Sequence, residues 1–294
     1  LHMNDGHIKK KLPRQDIPLT TKVVEVIKHN ECFVTVWLEG DIKIKPGQFI
    51  MVWFPNVEEK PFTVTCIKEN KFSFTALKRG PFTEALFELK VGDLLGWRGP
   101  YGNTFNLDKN FKNVCLVAGG IGMAALSLLY QNIKNRTINQ VNFKMNLLYG
   151  AKNCNGLIFK DIIPEICNNN TCFCTDDGSE GDKLFSTELL EKYLNENQNE
   201  EGDNNIDVVY TCGPEIMMKK VVELCEQYNV GCEVSLERYM GCGFGICGGC
   251  SINHKLVCMD GPVFNLEELK NLPDFGNHIC KCKEEKNESF TKKL

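Results

Sequence analysis

The sequence predicts a multidomain β plus α/β protein: an N-terminal antiparallel β-barrel, an α/β domain built on a parallel sheet, and a small cysteine-rich C-terminal module. Three observations carry that expectation. Short β-type runs recur at roughly 10- to 15-residue spacing in the first third of the chain. Strand and helix patterns then alternate, as they do where helices cover a parallel sheet. Finally, three cysteines and five glycines crowd the eleven residues "MGCGFGICGGC", Met240 to Cys250. A chain of 294 residues is long for one core and comfortable for two plus an appendage.

From Thr20 to about Arg98 the strand candidates are "TKVVEVI", "CFVTVWL", "QFIMVWF", "FTVTCI", "KFSFTAL" and "DLLGWRG", separated by polar or Gly/Pro turns such as "KPGQ" and "KEN". "PFTEALFEL" is the one helix expected among them. After "RGPYGNTFNLDKNF" the rhythm changes. "NVCLVAG", "VNFKMNLLYGA", "TCFCTDD" and "IDVVYTCG" read as strands, each followed by a helix candidate: "GMAALSLLYQNI", "GLIFKDIIPEIC", "STELLEKYL" and "PEIMMKKVVELCEQY". The expected division is a barrel over 18–109, an α/β domain over 110–236, a cysteine module over 237–282 and a tail over 283–294. The acidic stretch 195–205, "NENQNEEGDNN", has no apolar face and is expected to be a solvated loop.

Composition excludes several classes of partner. A net charge of -4, with a pI near 5.9 and no basic cluster among aromatics, argues against nucleic acid. The uncharged run 114–130 is marginal in length for a membrane span, and its central glycines read as a strand-to-helix turn, so no membrane segment is expected. Sixteen cysteines without a charged-then-apolar leader suit a reducing cytoplasm with most thiols free.

Cys242, Cys247, Cys250 and Cys258 stand in the order C-x4-C-x2-C-x7-C. The first three carry the plant-type [2Fe-2S] spacing, in which one short segment offers several thiolates. A backbone wrapped around inorganic sulfide must approach closely, take positive φ and aim N–H groups at sulfur, which is what the interleaved glycines permit. Structural zinc and a redox disulfide are the competing readings, although zinc more often takes two separated C-x2-C pairs. Two C-x-C pairs lie elsewhere. Cys172 and Cys174 share one face of a strand and are expected to pack in the core, whereas Cys280 and Cys282 lie near the C-terminus.

Two segments of the β region suit a phosphate-bearing flavin. Lys60-Pro61-Phe62-Thr63 precedes a strand, with a cation for phosphate and a hydroxyl for a ring edge; a plain turn with a solvated lysine is the alternative. Arg79, Gly80 and Thr83 open the expected helix, where free N–H groups suit a pyrophosphate. In the α/β region, Gly119-Gly120-Ile121-Gly122 sits between strand and helix without the full dinucleotide spacing, so a tight packing turn competes with a nucleotide loop. Cys212-Gly213-Pro214 and "TDDGSEG" end two other strands, on the edge where open α/β sheets bind ligands.

In this order the parts resemble the ferredoxin-reductase superfamily. More narrowly, "LERYMGCGFGICGGC" followed by "VCMDGPVF" resembles the electron-transfer subunit of class 1B dihydroorotate dehydrogenase, a likeness running from about Pro18 to Phe264. The resemblance implies FAD on Lys60-Pro61-Phe62-Thr63, on Leu77-Lys78-Arg79 and on Phe82-Thr83. It implies NAD(P) at Gly119, Gly120, Gly122, Cys212, Gly213 and Pro214, and a [2Fe-2S] cluster on Cys242, Cys247, Cys250 and Cys258. It further implies an oxidoreductase of pyrimidine biosynthesis, working with an FMN-containing catalytic subunit in a heterotetramer, and no catalytic base for dihydroorotate in this chain. Small subunits of ferredoxin:NADP reductase or sulfide dehydrogenase, or an iron-sulfur carrier without enzymatic activity, are the rival readings. Lys60 departs from the family's usual arginine, replacing a planar fork by a point charge, and Ala125 stands where relatives carry proline.

Overall fold

The computed structural model describes residues 17–108, 110–137, 143–166, 170–198 and 206–277. Cys280, Cys282 and the tail 283–294 lie outside the described residues. All six β-type runs of the first third are strands: β1 (Leu19–Lys28), β2 (Phe33–Glu39), β3 (Phe49–Phe54), β4 (Glu58–Lys68), β5 (Lys71–Leu77) and β6 (Leu94–Tyr101). They close a barrel in the order β1-β2-β5-β4-β3-β6, with every neighbouring pair antiparallel. Closure follows from alternation. Val34, Val36 and Leu38 on β2 meet Phe72 and Phe74 on β5 inside, and Phe82 and Leu86 of the short helix α1 (Pro81–Phe87) join the same core.

The second sheet takes the order β14-β11-β10-β7-β8-β9. β7 (Asn113–Gly119), β8 (Lys144–Ala151), β9 (Thr171–Thr175), β10 (Val208–Cys212) and β11 (Gly231–Ser235) run parallel. The long helices are α2 (Met123–Thr137), α4 (Ser186–Gln198) and α5 (Glu215–Gln227). One expected helix is broken. The run 156–167 yields α3 (Phe159–Ile162) and then a separate 3-10 turn, Pro164–Ile166, because Pro164 has no N–H to continue the ladder. Conversely, α4 continues to Gln198, into the stretch read as loop. The C-x-C pair of β9 also divides: Cys174 is buried under α4, whereas Cys172, on the edge strand beside Lys192 and Glu196, is exposed.

Beyond β11 the chain leaves the sheet and then returns to it. A hairpin of β12 (Ser251–Ile252) and β13 (Lys255–Leu256) leads through α6 (Val257–Asp260) into β14 (Val263–Asn265), which pairs antiparallel with β11. Asn265 then caps α7 (Leu266–Lys270), its side chain accepting from Glu268 N while the Glu268 carboxylate accepts from Asn265 N. The returning segment is tied at a second point. Arg238 makes a bidentate pair with Glu215 at the start of α5, both nearly buried, and Gly276 N donates to the same carboxylate.

One hydrophobic cluster runs through all three regions. Phe49, Met51 and Tyr101 of the barrel pack with Val117 and Val234 of the sheet and with Cys250, Cys258 and Phe264 of the cysteine module. Phe264 is fully buried on β14. Truncating it opens a cavity beneath β11, so Phe264→Ala is expected to cost about 3–5 kcal/mol. A fall in the midpoint of urea unfolding is the measurement.

Candidate functional site

The cysteine loop begins where β11 ends. Cys242 is half-buried, Cys247 exposed, and Cys250 and Cys258 buried. Backbone N–H groups point at the sulfurs: Ile246 N and Cys247 N donate to Cys242 Sγ at 3.3 and 3.4 Å, Gly249 N to Cys247 Sγ at 3.5 Å, and Cys258 N to Cys250 Sγ at 3.4 Å. Such a path needs left-handed backbone. Gly243 has φ 81° and Gly245 φ 86°, and a Cβ at either would fall 2.8 Å from Met51 Cγ or 2.6 Å from Met259 Cγ.

The sulfurs group in twos, Cys242 with Cys247 and Cys250 with Cys258. Among the described residues no three His, Cys, Asp or Glu side chains gather as for a single ion. A two-iron cluster asks for two thiolates at each iron, and two facing pairs fit that demand. Gly245 N also reaches Cys258, bringing the pairs together. Burial opposes ionisation of Cys242, but the N–H donors of Cys247, Phe244 and Ile246 outweigh it and bring the thiol down to about 6. Burial, then the contact with Cys250, pushes Cys258 up to about 12.

The loop rests on the barrel. Phe244 lies against Tyr101, ring centroids 6.3 Å apart, and beneath the Arg98 guanidinium at 5.1 Å. Arg98 is held by a bidentate pair with Glu59 at 2.6 and 2.5 Å. Ile246 remains 77% exposed and Met259 58% exposed beside it.

Lys60-Pro61-Phe62-Thr63 lies inside β4 rather than before it, opposite Val52, Met51, Ile50 and Phe49 of β3. Phe62 stacks on Phe82 at 5.8 Å, while Lys60 pairs with Glu58 at 2.5 Å and sits 5.0 Å from the centre of the Tyr239 ring. Leu77 ends β5, and Lys78 lies over Phe87. The Thr83 hydroxyl accepts from Arg79 N at 2.8 Å and Gly80 N at 3.1 Å, so it shapes the turn and those two donors are satisfied within the chain.

At the carboxyl edge of the parallel strands, Gly119, Gly120 and Gly122 meet Cys212-Gly213-Pro214. A Cβ on Gly122 would fall 2.3 Å from Cys212 O, and one on Gly119 2.8 Å from Pro214 Cδ. The two loops therefore pack on each other, while Gly120, with φ 52°, faces open space. Cys212 is buried, its thiol pushed up by that burial, and hydrogen bonds to Ser235. Phe185 and Ile216 stand exposed at the starts of α4 and α5 on the same edge.

Two residues here were not singled out from the sequence. Glu237 is solvent-exposed just beyond β11, yet the protein around its carboxyl desolvates it enough to raise it, and Arg79 counters that in part. Tyr239, exposed, stands between Lys60 and the cysteine loop, where a Cβ on Gly249 would lie 3.4 Å from its ring. Both belong to "LERY", a stretch whose isolated polar residues carry no periodic signal.

A closed barrel set against a glycine-edged α/β sheet, with a four-cysteine loop seated on the barrel, defines a reductase of the ferredoxin-reductase fold carrying an iron-sulfur module. Comparison with known proteins narrows the class. Residues 237–270 match the model for the iron-sulfur cluster binding domain of dihydroorotate dehydrogenase B, and residues 116–223 match the oxidoreductase NAD-binding domain. The chain is 39% identical over 263 residues to the probable dihydroorotate dehydrogenase B (NAD(+)) electron transfer subunit of Methanocaldococcus jannaschii, covering 89% of this chain and 95% of that one. The counterpart from Thermococcus kodakarensis is 44% identical over 234 residues, covering 79% and 89%. A chain of the NADH-dependent reduced ferredoxin-NADP oxidoreductase, solved for flavin-based electron bifurcation, superposes with TM-score 0.72 at 27% identity, over 89% of this chain and 94% of that one. The protein belongs to the family of dihydroorotate dehydrogenase B electron transfer subunits, and is an oxidoreductase subunit.

The thiol environments generate a prediction about pH. In metal-free protein, iodoacetamide labelling of Cys242 is expected to rise with an apparent pKa of about 6, while Cys258, held at about 12, stays unlabelled at pH 8. Peptide mapping by mass spectrometry after timed labelling reads both.

Proposed function

We propose that this chain carries electrons between a nicotinamide dinucleotide and a separate FMN-containing catalytic subunit that oxidises dihydroorotate to orotate. The single observation behind this reading is the cysteine loop seated on the barrel through Phe244, Tyr101 and Arg98, so that the thiolate site adjoins the segment suited to a flavin. FAD supplies the change between hydride pairs and single electrons that links a nicotinamide to a [2Fe-2S] cluster.

The chain's own residues divide the work. Cys242, Cys247, Cys250 and Cys258 hold the cluster, and the N–H groups of Ile246, Cys247, Gly249 and Cys258 stabilise negative charge on sulfur. Lys60, Arg79 and the turn closed by Thr83 hold FAD, with Pro61, Phe62, Thr63, Leu77, Lys78, Gly80 and Phe82 shaping its bed. Gly119, Gly120 and Gly122, with Cys212, Gly213 and Pro214, receive NAD(P). No residue here is assigned as a base for dihydroorotate.

The same reading divides the chain into 18–109 for FAD, 110–236 for NAD(P), 237–282 for the cluster and 283–294 as tail. It places the protein in the cytoplasm, in a heterotetramer with its catalytic partner. Among the described residues no helix is long and apolar enough to cross a membrane. Ile246 and Met259, exposed beside Cys247, form the apolar face proposed to meet the partner.

Anaerobically purified protein is expected to contain iron, sulfide and FAD, and its flavin absorbance to bleach on adding NADH or NADPH. Cys258→Ser is expected to lose the cluster bands and keep the flavin; intact cluster bands in that variant, or no bleaching with either nucleotide, count against the reading. Ile246→Glu is expected to weaken capture of the co-expressed catalytic subunit by at least about tenfold while sparing both cofactors, as charging a buried interface anchor does. Quantitative pull-down measures that loss.

A further inference from the structure

Strand β6 runs into the motif "GPYGN", whose Tyr101 seats Phe244. The last residue of that motif makes four hydrogen bonds to one short stretch of the cysteine module. Asn103 N donates to Gly261 O at 2.7 Å, Asn103 Nδ2 to Asp260 O at 3.0 Å and to Val263 O at 2.8 Å, and Asn103 Oδ1 accepts from Val263 N at 2.9 Å. The side chain is thus fully used, both as donor and as acceptor, across 157 to 160 positions of sequence.

We propose that Asn103 is a positioning residue for the iron-sulfur site, fixing the Cys250–Cys258 pair against the barrel. The stretch it grips, 260–263, begins at the last residue of α6, which carries Cys258. Asp260 closes that helix on itself by accepting from Leu256 N at 2.7 Å, so a constraint applied at 260–263 is passed to Cys258. Cys258 N in turn donates to Cys250 Sγ. Two residues before Asn103, Tyr101 rests on Phe244, which lies between Cys242 and Cys247 in the chain. Residues 101–103 therefore hold both thiolate pairs from a single strand end. Gly102, with φ 80°, brings the backbone so near that a Cβ would fall 2.5 Å from Pro262 Cδ. A hydrogen-bonded clamp of this kind holds its target to fractions of an ångström, which packing of flexible side chains such as Met51 and Met259 does not.

This inference rests on the reading of the four cysteines as a [2Fe-2S] site. The test uses the full-length protein, purified anaerobically, as wild type, Asn103→Ala, Asn103→Asp and Asn253→Ala. Asn253 pairs with Asp274 inside the module, so its loss reports general loosening. Iron, sulfide and FAD contents are measured first, then the rate of iron release to bathophenanthroline and the EPR g-values of the dithionite-reduced protein. Asn103→Ala, which removes three side-chain hydrogen bonds, is expected to release iron at least about tenfold faster, the effect of losing even one of them, and to shift the g-values at unchanged FAD content. Asn103→Asp keeps the acceptor for Val263 N but sets a carboxylate oxygen against the Asp260 and Val263 carbonyls, so it is expected to release iron at least as fast as the alanine variant, and it decides the matter if that variant does not fold. Wild-type release and g-values in the Asn103 variants, or an equal effect from Asn253→Ala, overturn the proposal. Wild-type protein lacking iron and sulfide strikes the cluster reading itself, and the positioning role falls with it.

Discussion

A thiolate accepts hydrogen bonds, and a loop that must surround a sulfur-rich group has its own backbone as the nearest source of donors. That demand shapes the region from Leu236 to Gly261. Turning Ile246, Cys247 and Gly249 N–H groups toward sulfur requires left-handed backbone at Gly243, Gly245 and Gly248. Bare glycines leave room beside them, and Met51 and Met259 fill it with adaptable side chains. The barrel surface and the loop are complementary because each occupies space that the other must leave open.

A pliant loop needs rigid attachments, and they come from both neighbours. The barrel supplies Tyr101, Arg98 and the residues that follow β6; the sheet supplies β11 and the start of α5. The Arg238–Glu215 pair belongs to this second set. Buried ion pairs of this type often add little net stability, since desolvation offsets attraction, but breaking one partner is costly because it strands a charge. Its geometric effect is clearer: with Gly276 N on the same carboxylate, it ties the entry and the exit of the module to one helix end.

The barrel was legible because its strands are short β-branched and aromatic runs bounded by turns, so pairing partners need not be known to place them. Four of the five described parallel strands were legible for the same local reason, β11 having gone unread, and Cys242, Cys247 and Cys250 because ligand spacing is a property of one segment. What escaped depended on distance in sequence. β14 is three residues long and exists through β11; Asn103 matters through residues some 160 positions away; Glu237 feels Arg79, which is distant in sequence. Cys172 shows the limit of period-two reasoning, since a shared strand face is covered only as far as α4 reaches. Pro164 is a different case: the helix breaker stood in plain view within "GLIFKDIIPEIC", and the apolar periodicity around it outweighed it. The segments expected to hold FAD and nucleotide lie at strand ends and in β4, and their engagements within the chain, such as Thr83 with Arg79 N, appear only in three dimensions.

The return of the chain to form β14 also bears on how the protein can be divided. β11 has β10 on one side and β14 on the other, so a chain cut after Leu236 would keep the parallel sheet but bare a row of peptide groups along its margin. Such a margin recruits whatever extended chain it meets, including its own twin, and turns a soluble fragment into a seed for aggregates. The iron-binding appendage is thereby also the seal on the sheet beneath it.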